Sequence, residues 1–132
     1  MRELAGIFRA LADETRLKMM GLLLRHREVC VCEFVEVLGI TQSKASRHVR
    51  YLLHAGLVED RRAGLWVHYR VARELGPDAL VVVRGLRTAL GSDRLRDIEA
   101  RLERSLKRKT AGGGRTCAAP QPRRGGRKGG VR

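Results

Sequence analysis

A sharp turn between two short apolar helices constrains the fold of this chain more than any other feature. The turn is Gly39-Ile40-Thr41. Glycine ends a helix because it adopts left-handed backbone dihedrals without strain, and threonine is a good N-cap for the next helix. Apolar residues at helical spacing predict one helix at 31–38 and a second from Thr41 to Ala55-Gly56. Two helices joined by so short a turn form a helix-turn-helix unit.

The elements on either side extend this unit into a recognisable architecture. Alternating apolar and polar residues after Gly56 predict two strands that form a hairpin across Ala63-Gly64. The fold class expected is mainly α (α+β), a winged helix-turn-helix with a two-stranded β wing. The remaining predicted elements are helices at 3–11 and 13–25, strands at 57–62 and 65–71, a helix from Gly76-Pro77, a break at 91–93, and an amphipathic segment that ends at Leu106.

The two terminal helical segments, 3–11 and 77–106, carry apolar stripes that one chain of this size has little core to cover. Exposed stripes of that size are unstable in water. We therefore expect a homodimer that forms through the N- and C-terminal helices.

Charge divides the chain into two parts. The net charge is +14, and the segment 107–132 carries nine Lys and Arg residues and no Asp or Glu. Gly, Arg, Lys and Pro dominate there, so we predict a domain at 1–106 and a basic, disordered tail at 107–132. A chain this basic favours a polyanionic partner, most simply double-stranded DNA. The tail either increases the affinity for DNA through electrostatic attraction or serves only to keep the protein soluble.

Three cysteines are too few and too unevenly placed for a stapled secreted domain. Cys30 and Cys32 are too close in sequence for an ordinary disulfide, and Cys117 lies in the Gly-rich tail. The N-terminus lacks the apolar stretch of a signal peptide, and no run approaches the length of a membrane span. Reduced thiols and these absences predict a cytoplasmic protein without a membrane partner.

Four motifs in the right order resemble the ArsR/SmtB-type metal-responsive transcriptional repressors, over about residues 3–105. The 11–17 segment is similar to the opening signature of that family, and 41–48 with Leu57-Val58 resembles its recognition helix and following strand. Residues 61–69 resemble its wing. Glu28-Val29-Cys30-Val31-Cys32-Glu33 is similar to the Cys-Val-Cys segment of the arsenic-sensing branch, although Val35 stands where that branch often has a third cysteine. The resemblance implies a DNA-binding repressor, not an enzyme.

The exposed start of a recognition helix reads base edges in the major groove. Gln42, Ser43, Ser46 and Arg47 are therefore candidates for base contact. Lys44 and Arg50 are candidates for phosphate contact, and Arg61 and Arg62 for the backbone or a minor groove.

Thiolates are soft donors that prefer thiophilic ions. The resemblance to the arsenic-sensing branch therefore implies that Cys30 and Cys32 form the metal site. It also implies that arsenite or antimonite is the effector. A trivalent ion would need a third donor, which could come from Cys117, hydroxide or a small thiol. Because residues i and i+2 point about 200° apart on a helix, the pair must lie at a helix start or binding must unwind it.

Three alternatives stay open from the sequence. The thiols could respond to oxidation, the ion could be cadmium, lead or zinc, or the chain could be a non-specific basic nucleic-acid binder. The zinc sensors of the family place histidine ligands on the last helix, and this chain has no histidine after His68. We find no nucleophile–base pair, phosphate loop or paired carboxylates at catalytic spacing, and we expect no cofactor for folding.

Overall fold

The computed structural model describes residues 1–111, with side chains to residue 109. Six helices and three strands follow one another along this part of the chain. They are α1 (Arg2–Leu11), α2 (Glu14–Arg25), β1 (Val29–Cys30), α3 (Val31–Leu38), α4 (Gln42–His54), β2 (Val58–Ala63), β3 (Trp66–Val71), α5 (Pro77–Ala89) and α6 (Ser92–Ala111).

Helices α3 and α4 form the helix-turn-helix that the sequence predicts. Gly39 ends α3 with a φ of 64°, in the left-handed region that glycine favours. The Thr41 side chain then accepts a hydrogen bond from the backbone N–H of Lys44 at 3.2 Å, which satisfies one of the unpaired donors at the start of α4. Local chemistry therefore fixes both sides of the turn.

The wing is part of a three-stranded antiparallel sheet, with strand order β1-β3-β2. The predicted hairpin is confirmed: β2 pairs with β3 from Val58↔Val71 to Ala63↔Trp66. The two-stranded wing is as predicted, and β1 adds a third strand that the sequence did not indicate, with the pairs Val29↔Tyr69 and Cys30↔His68 on the other edge of β3. A two-residue strand has too few positions to show alternation, so no sequence pattern could reveal it.

The core lies where α2, α3, α4 and the sheet meet. Phe34 of α3 and Leu52 of α4 are fully buried there, with Met19, Met20 and Leu22 of α2. These side chains hold the recognition helix and the helix before it against a common apolar centre. Because the shared core is closely packed, a shift of α3 should displace α4 as well.

Helix α6 returns across α2 and α3 and runs further than the predicted domain boundary at residue 106. It continues to Ala111 and includes Lys107, Arg108 and Lys109, which we assigned to the tail. Leu95 of α6 packs closely over Gly21 of α2, where no side chain intervenes. Residues 112–132, including Cys117, lie outside the described part. No helix within residues 1–111 combines the length and apolarity needed to cross a membrane.

Candidate thiol site and nucleic-acid interface

The two adjacent cysteines converge at the start of α3. Cys30 is the N-cap, with extended backbone, and Cys32 lies in the first turn. Their sulfur atoms are 3.0 Å apart. Of the two geometries expected from the sequence, this is the pair at a helix start, so both sulfurs reach one point without unwinding of α3.

A buried carboxylate braces this helix start. The Glu33 side chain accepts a hydrogen bond from the backbone N–H of Cys30 at 2.7 Å, which is one half of a capping box. Lys109 of α6 lies 3.6 Å from the Glu33 carboxylate and 3.8 Å from the Sγ of Cys32. The helix N-terminus and this ammonium both place positive electrostatic potential beside the sulfurs.

The two sulfurs could bind one thiophilic ion, but they supply only two of the ligands that it needs. Two sulfurs 3.0 Å apart fall within the span of a single ion with sulfur bonds of about 2.3 Å, the length found for zinc. Within residues 1–109, no three His, Cys, Asp or Glu side chains gather in an arrangement that could hold a metal ion. The described residues therefore offer Cys30 and Cys32 and no third protein ligand, and the candidate Cys117 lies outside them.

A charged cluster links the thiol segment to the wing. Glu28, two residues before Cys30, accepts two hydrogen bonds from the guanidinium of Arg61 on β2, each at 2.8 Å. The Nδ1 atom of the buried His68 lies 4.0 Å from the same carboxylate. The hydrogen bonds from Arg61 are the main reason that the pKa of Glu28 falls from 4.5 to about 2. Glu28 is thus bonded to the outer strand β2 through Arg61 and lies near His68 of the central strand β3.

Loss of this carboxylate should lower stability in a pH-dependent way. Because folding lowers the pKa of Glu28 from 4.5 to about 2, its contribution is present above pH 4.5 and disappears as the pH falls towards 2. We expect Glu28→Gln to unfold more readily than the wild type at pH 7, with the two proteins converging between those pH values. Denaturant unfolding over this range measures the difference. Glu103→Gln, which removes an exposed carboxylate without an ion pair among the described residues, should show no such convergence, and an equal pH profile would exclude the role assigned to Glu28.

The candidate DNA-reading residues lie on one open face of α4. Gln42, Ser43, Lys44, Arg47 and Arg50 are exposed, and Ser46 is partly exposed. Their apolar counterparts Ala45, Val49 and Leu52 are buried on the opposite side. The structure therefore places the predicted residues together on a surface that a groove can meet, and leaves their individual contacts as predictions.

Contacts from Arg16 of α2 position this helix. The Arg16 guanidinium stacks on the Tyr51 ring, 4.5 Å from its centroid. It also donates to the Ala10 carbonyl at 2.6 Å and lies 3.2 Å from the Nδ1 of His48. These contacts use the α1–α2 corner to set the position of α4, and they orient His48 towards Arg16 and away from the exposed face.

The two wing arginines differ. Arg62 is exposed at the end of β2, while Arg61 is held by Glu28. Arg61 would have to leave that carboxylate, or share it, to contact a phosphate. Sequence reasoning missed Glu28, Lys109 and Arg16 as members of the site. Their partners lie 33, 77 and 32 residues away along the chain, so no local pattern signals them.

The chain is similar in sequence to known transcriptional regulators. The model of the bacterial regulatory protein arsR family matches residues 13–60, which cover α2 to the start of the wing. The arsenic resistance transcriptional regulator ArsR1 of Pseudomonas putida is 46% identical over 69 residues, 52% of this chain and 54% of the relative. The arsenical resistance operon repressor of Escherichia coli is 47% identical over 66 residues, 50% of this chain and 56% of the relative. The chain thus spans little more than half the length of these two proteins.

Further relatives extend the comparison. An uncharacterised helix-turn-helix regulator of Methanocaldococcus jannaschii is 37% identical over 51% of this chain and 75% of its own length. A cadmium resistance regulatory protein homologue of Staphylococcus aureus is 33% identical over 54% of this chain and 60% of its own length.

Among solved structures, the homodimeric winged helix-turn-helix DNA-binding domain of a possible ArsR-family transcriptional regulator from Mycobacterium bovis superposes with a TM-score of 0.57. It is 28% identical, and the match covers 69% of this chain and 81% of that domain. The sequence motifs, the helix-turn-helix with its β2–β3 wing and these likenesses agree, and the chain belongs to the arsR family of bacterial regulatory proteins.

Proposed function

We propose that this chain is a homodimeric, DNA-binding transcriptional repressor that a thiophilic effector releases from its operator. The effector is arsenite or antimonite, bound by Cys30 and Cys32. The observation that carries the proposal is the convergence of the two sulfurs, 3.0 Å apart, at the start of the helix that packs against the recognition helix. The names of the arsenic-resistance relatives support this choice of effector.

The coupling follows from what surrounds the thiols. Cys30 is at once the N-cap of α3 and the β1 residue opposite His68 in β3, so one residue joins the helix-turn-helix to the wing. When arsenite bonds to both sulfurs, two of its hydroxyl groups leave as water with the thiol protons, and the As–S bonds replace the contact between the sulfurs beside Glu33 and Lys109. A small rotation of α3 then moves α4 through Phe34 and the buried core. Allosteric release of this kind needs only about 1–3 kcal/mol of coupling.

The test is an operator-release titration. The fully reduced dimer, bound to its operator duplex, is titrated with arsenite, with cadmium, lead and zinc, and with peroxide in separate arms. Release by arsenite under reducing conditions supports the proposal, because no oxidation can occur. Release by peroxide alone would favour the redox alternative, and release by cadmium, lead or zinc but not arsenite would reassign the effector.

A second arm separates specific from non-specific binding. A protein truncated after residue 111 keeps all six helices and loses most of the basic tail. We expect it to retain a sequence-selective footprint, since the candidate base contacts all lie on α4. Loss of selectivity on truncation would favour a non-specific basic binder driven by the tail.

The proposed dimer forms through α1 and α5, which lie side by side. Phe8 on α1 and Val81 on α5 expose 57% and 70% of their surface, an apolar face of the kind that associates. With two recognition helices, a dimer would contact two operator half-sites one helical turn apart.

Charge on this face should separate the protomers. We expect Phe8→Glu with Val81→Glu to weaken the dimer by on the order of 100-fold or more, because association would bury two unpaired carboxylates from each protomer. Sedimentation velocity over a concentration series measures the change. Leu65→Glu is the matched control, since Leu65 is 74% exposed but lies at the wing tip. A double variant as dimeric as this control would place the interface elsewhere.

A further inference from the structure

We infer that a second site, a cationic pocket whose lining includes neither Cys30 nor Cys32, binds a small tetrahedral oxyanion of the phosphate class. The pocket has a volume of about 410 Å³ and lies where the ends of α2, β3 and α5 meet. Its basic lining residues are Arg25, His26, Arg27, Arg70, Arg73 and Arg87. Neither the thiol chemistry nor the proposed reading of DNA uses them.

The charge in this pocket is only partly compensated. Glu99 of α6 pairs with Arg25 at 2.8 Å, and Glu59 of β2 pairs with Arg70 at 2.6 Å and lies 3.8 Å from Arg73. Two carboxylates thus face five guanidinium groups.

Two of these arginines have no carboxylate partner within residues 1–109. Arg87 donates only to the Leu24 carbonyl, at 3.3 Å, and no ion pair reaches Arg27. Guanidinium groups present planar pairs of donors that match the oxygens of an oxyanion. The surplus positive charge at this concave surface therefore suits an anion with several oxygens.

A second observation concerns a nitrogen of a pocket-lining residue, whose hydrogen-bonding capacity the described residues do not use. The Nε2 of His26, which lines the pocket, is buried and has no hydrogen-bond partner within the described residues. The nearest carboxylate oxygen, on Glu99, lies 3.7 Å away, beyond hydrogen-bond length. Buried polar atoms are nearly always paired, so an unpaired one calls for an explanation such as a bound molecule.

The position of the pocket favours a free anion over the DNA backbone. Val71 and Arg73 lie at the end of β3 that is opposite the wing tip, since Val71 pairs with Val58 while Trp66 pairs with Ala63 beside the turn. The candidate DNA-reading residues lie on α4, which contributes nothing to this pocket. A phosphate of a bound duplex is the competing source of the same chemistry, and the test distinguishes the two.

The experiment titrates the full-length protein with inorganic phosphate at constant ionic strength, followed by calorimetry, with sulfate and chloride in parallel. We expect saturable phosphate binding that Arg27→Ala with Arg87→Ala weakens by about tenfold or more. The matched control, Arg84→Ala with Arg94→Ala, removes the same charge from exposed arginines that do not line the pocket and should bind phosphate as the wild type does. Circular dichroism confirms folding, and Arg27→Ala alone carries the test if the double variant is unstable.

Each result has a definite meaning. Equal phosphate binding by the pocket variant and the control variant would show general charge screening and overturn the site. A pocket variant that instead lowers operator affinity and its salt dependence, without any phosphate binding by the wild type, would assign the arginines to the DNA backbone and also overturn it. Neither result depends on arsenite, so the site stands or falls separately from the proposed function.

Discussion

Serine at positions 30 and 32 should leave operator binding intact and abolish release by arsenite. Cys30 is the N-cap of α3, and serine is among the best N-cap residues, so the helix start should persist. Cys32 is partly exposed in the first turn, where a hydroxyl is easily accommodated. The hydroxyls, unlike thiolates, are poor ligands for a soft ion. The variant therefore removes the effector chemistry while it keeps the DNA-binding shape.

The measurement is fluorescence anisotropy of a labelled operator duplex during arsenite titration. We expect the concentration for half-release to rise by on the order of 100-fold or beyond the measurable range, since the full coupling of about 1–3 kcal/mol depends on the bonded ion. The half-release concentration of each single variant should be close to that of the double variant, because one remaining thiol cannot bind the ion as the two thiols together do.

Two controls sharpen this experiment. Cys117→Ser in the otherwise natural chain tests the candidate third ligand: unchanged release would mean that hydroxide or a small thiol completes the ion's coordination. Normal arsenite-driven release of the protein that lacks both Cys30 and Cys32 would eliminate the proposed site, whatever the tail does.

Alanine at position 47 should both weaken operator binding and blur its sequence preference. Arg47 is exposed on α4 and borders a surface pocket with Arg50, Tyr51 and His54, so its guanidinium has room to reach a base edge. Loss of an arginine that reads guanine costs about 1–3 kcal/mol, or about 5-fold to 150-fold in affinity. Competition between operator and scrambled duplexes measures both effects.

Two comparisons identify the cause of the loss. Arg94→Ala removes the same charge from an exposed position on α6 and should change affinity little. Lys44→Ala, a candidate phosphate contact, should weaken all duplexes alike and reduce the salt slope by about one counterion. An Arg47→Ala protein that binds as tightly and as selectively as the wild type would show that the recognition surface is wrongly assigned.

Sequence reasoning succeeded where a single residue has one dominant local role. Asp13 caps α2 by accepting from the Arg16 backbone N–H at 3.0 Å, as its position predicts. Gly39 and Thr41 define the turn before α4, and the Ala63-Gly64 turn closes the hairpin. These are short-range effects of backbone dihedrals and caps, which the amino-acid order expresses directly.

The same reasoning fell short where a contact joins distant segments. The ending of the predicted domain at residue 106 followed from composition, yet α6 continues to Ala111 because Ser105 and Arg108 bond to Glu36 and Lys109 reaches Glu33. These partners belong to α3, about 70 residues earlier, so packing between distant segments, not local propensity, stabilises the helix beyond residue 106.

The order of residues by itself determined the helix-turn-helix, the hairpin, the exposed basic face of α4 and the presence of two thiols beside it, because each depends on neighbours within one helical turn or one strand repeat. Only the tertiary structure decided that Cys30 belongs to a sheet and a helix at once, that Glu28 holds Arg61, and that five arginines share a pocket. The reason is physical: strand pairing and ion pairs between distant segments form only when burial of a shared core brings those segments together.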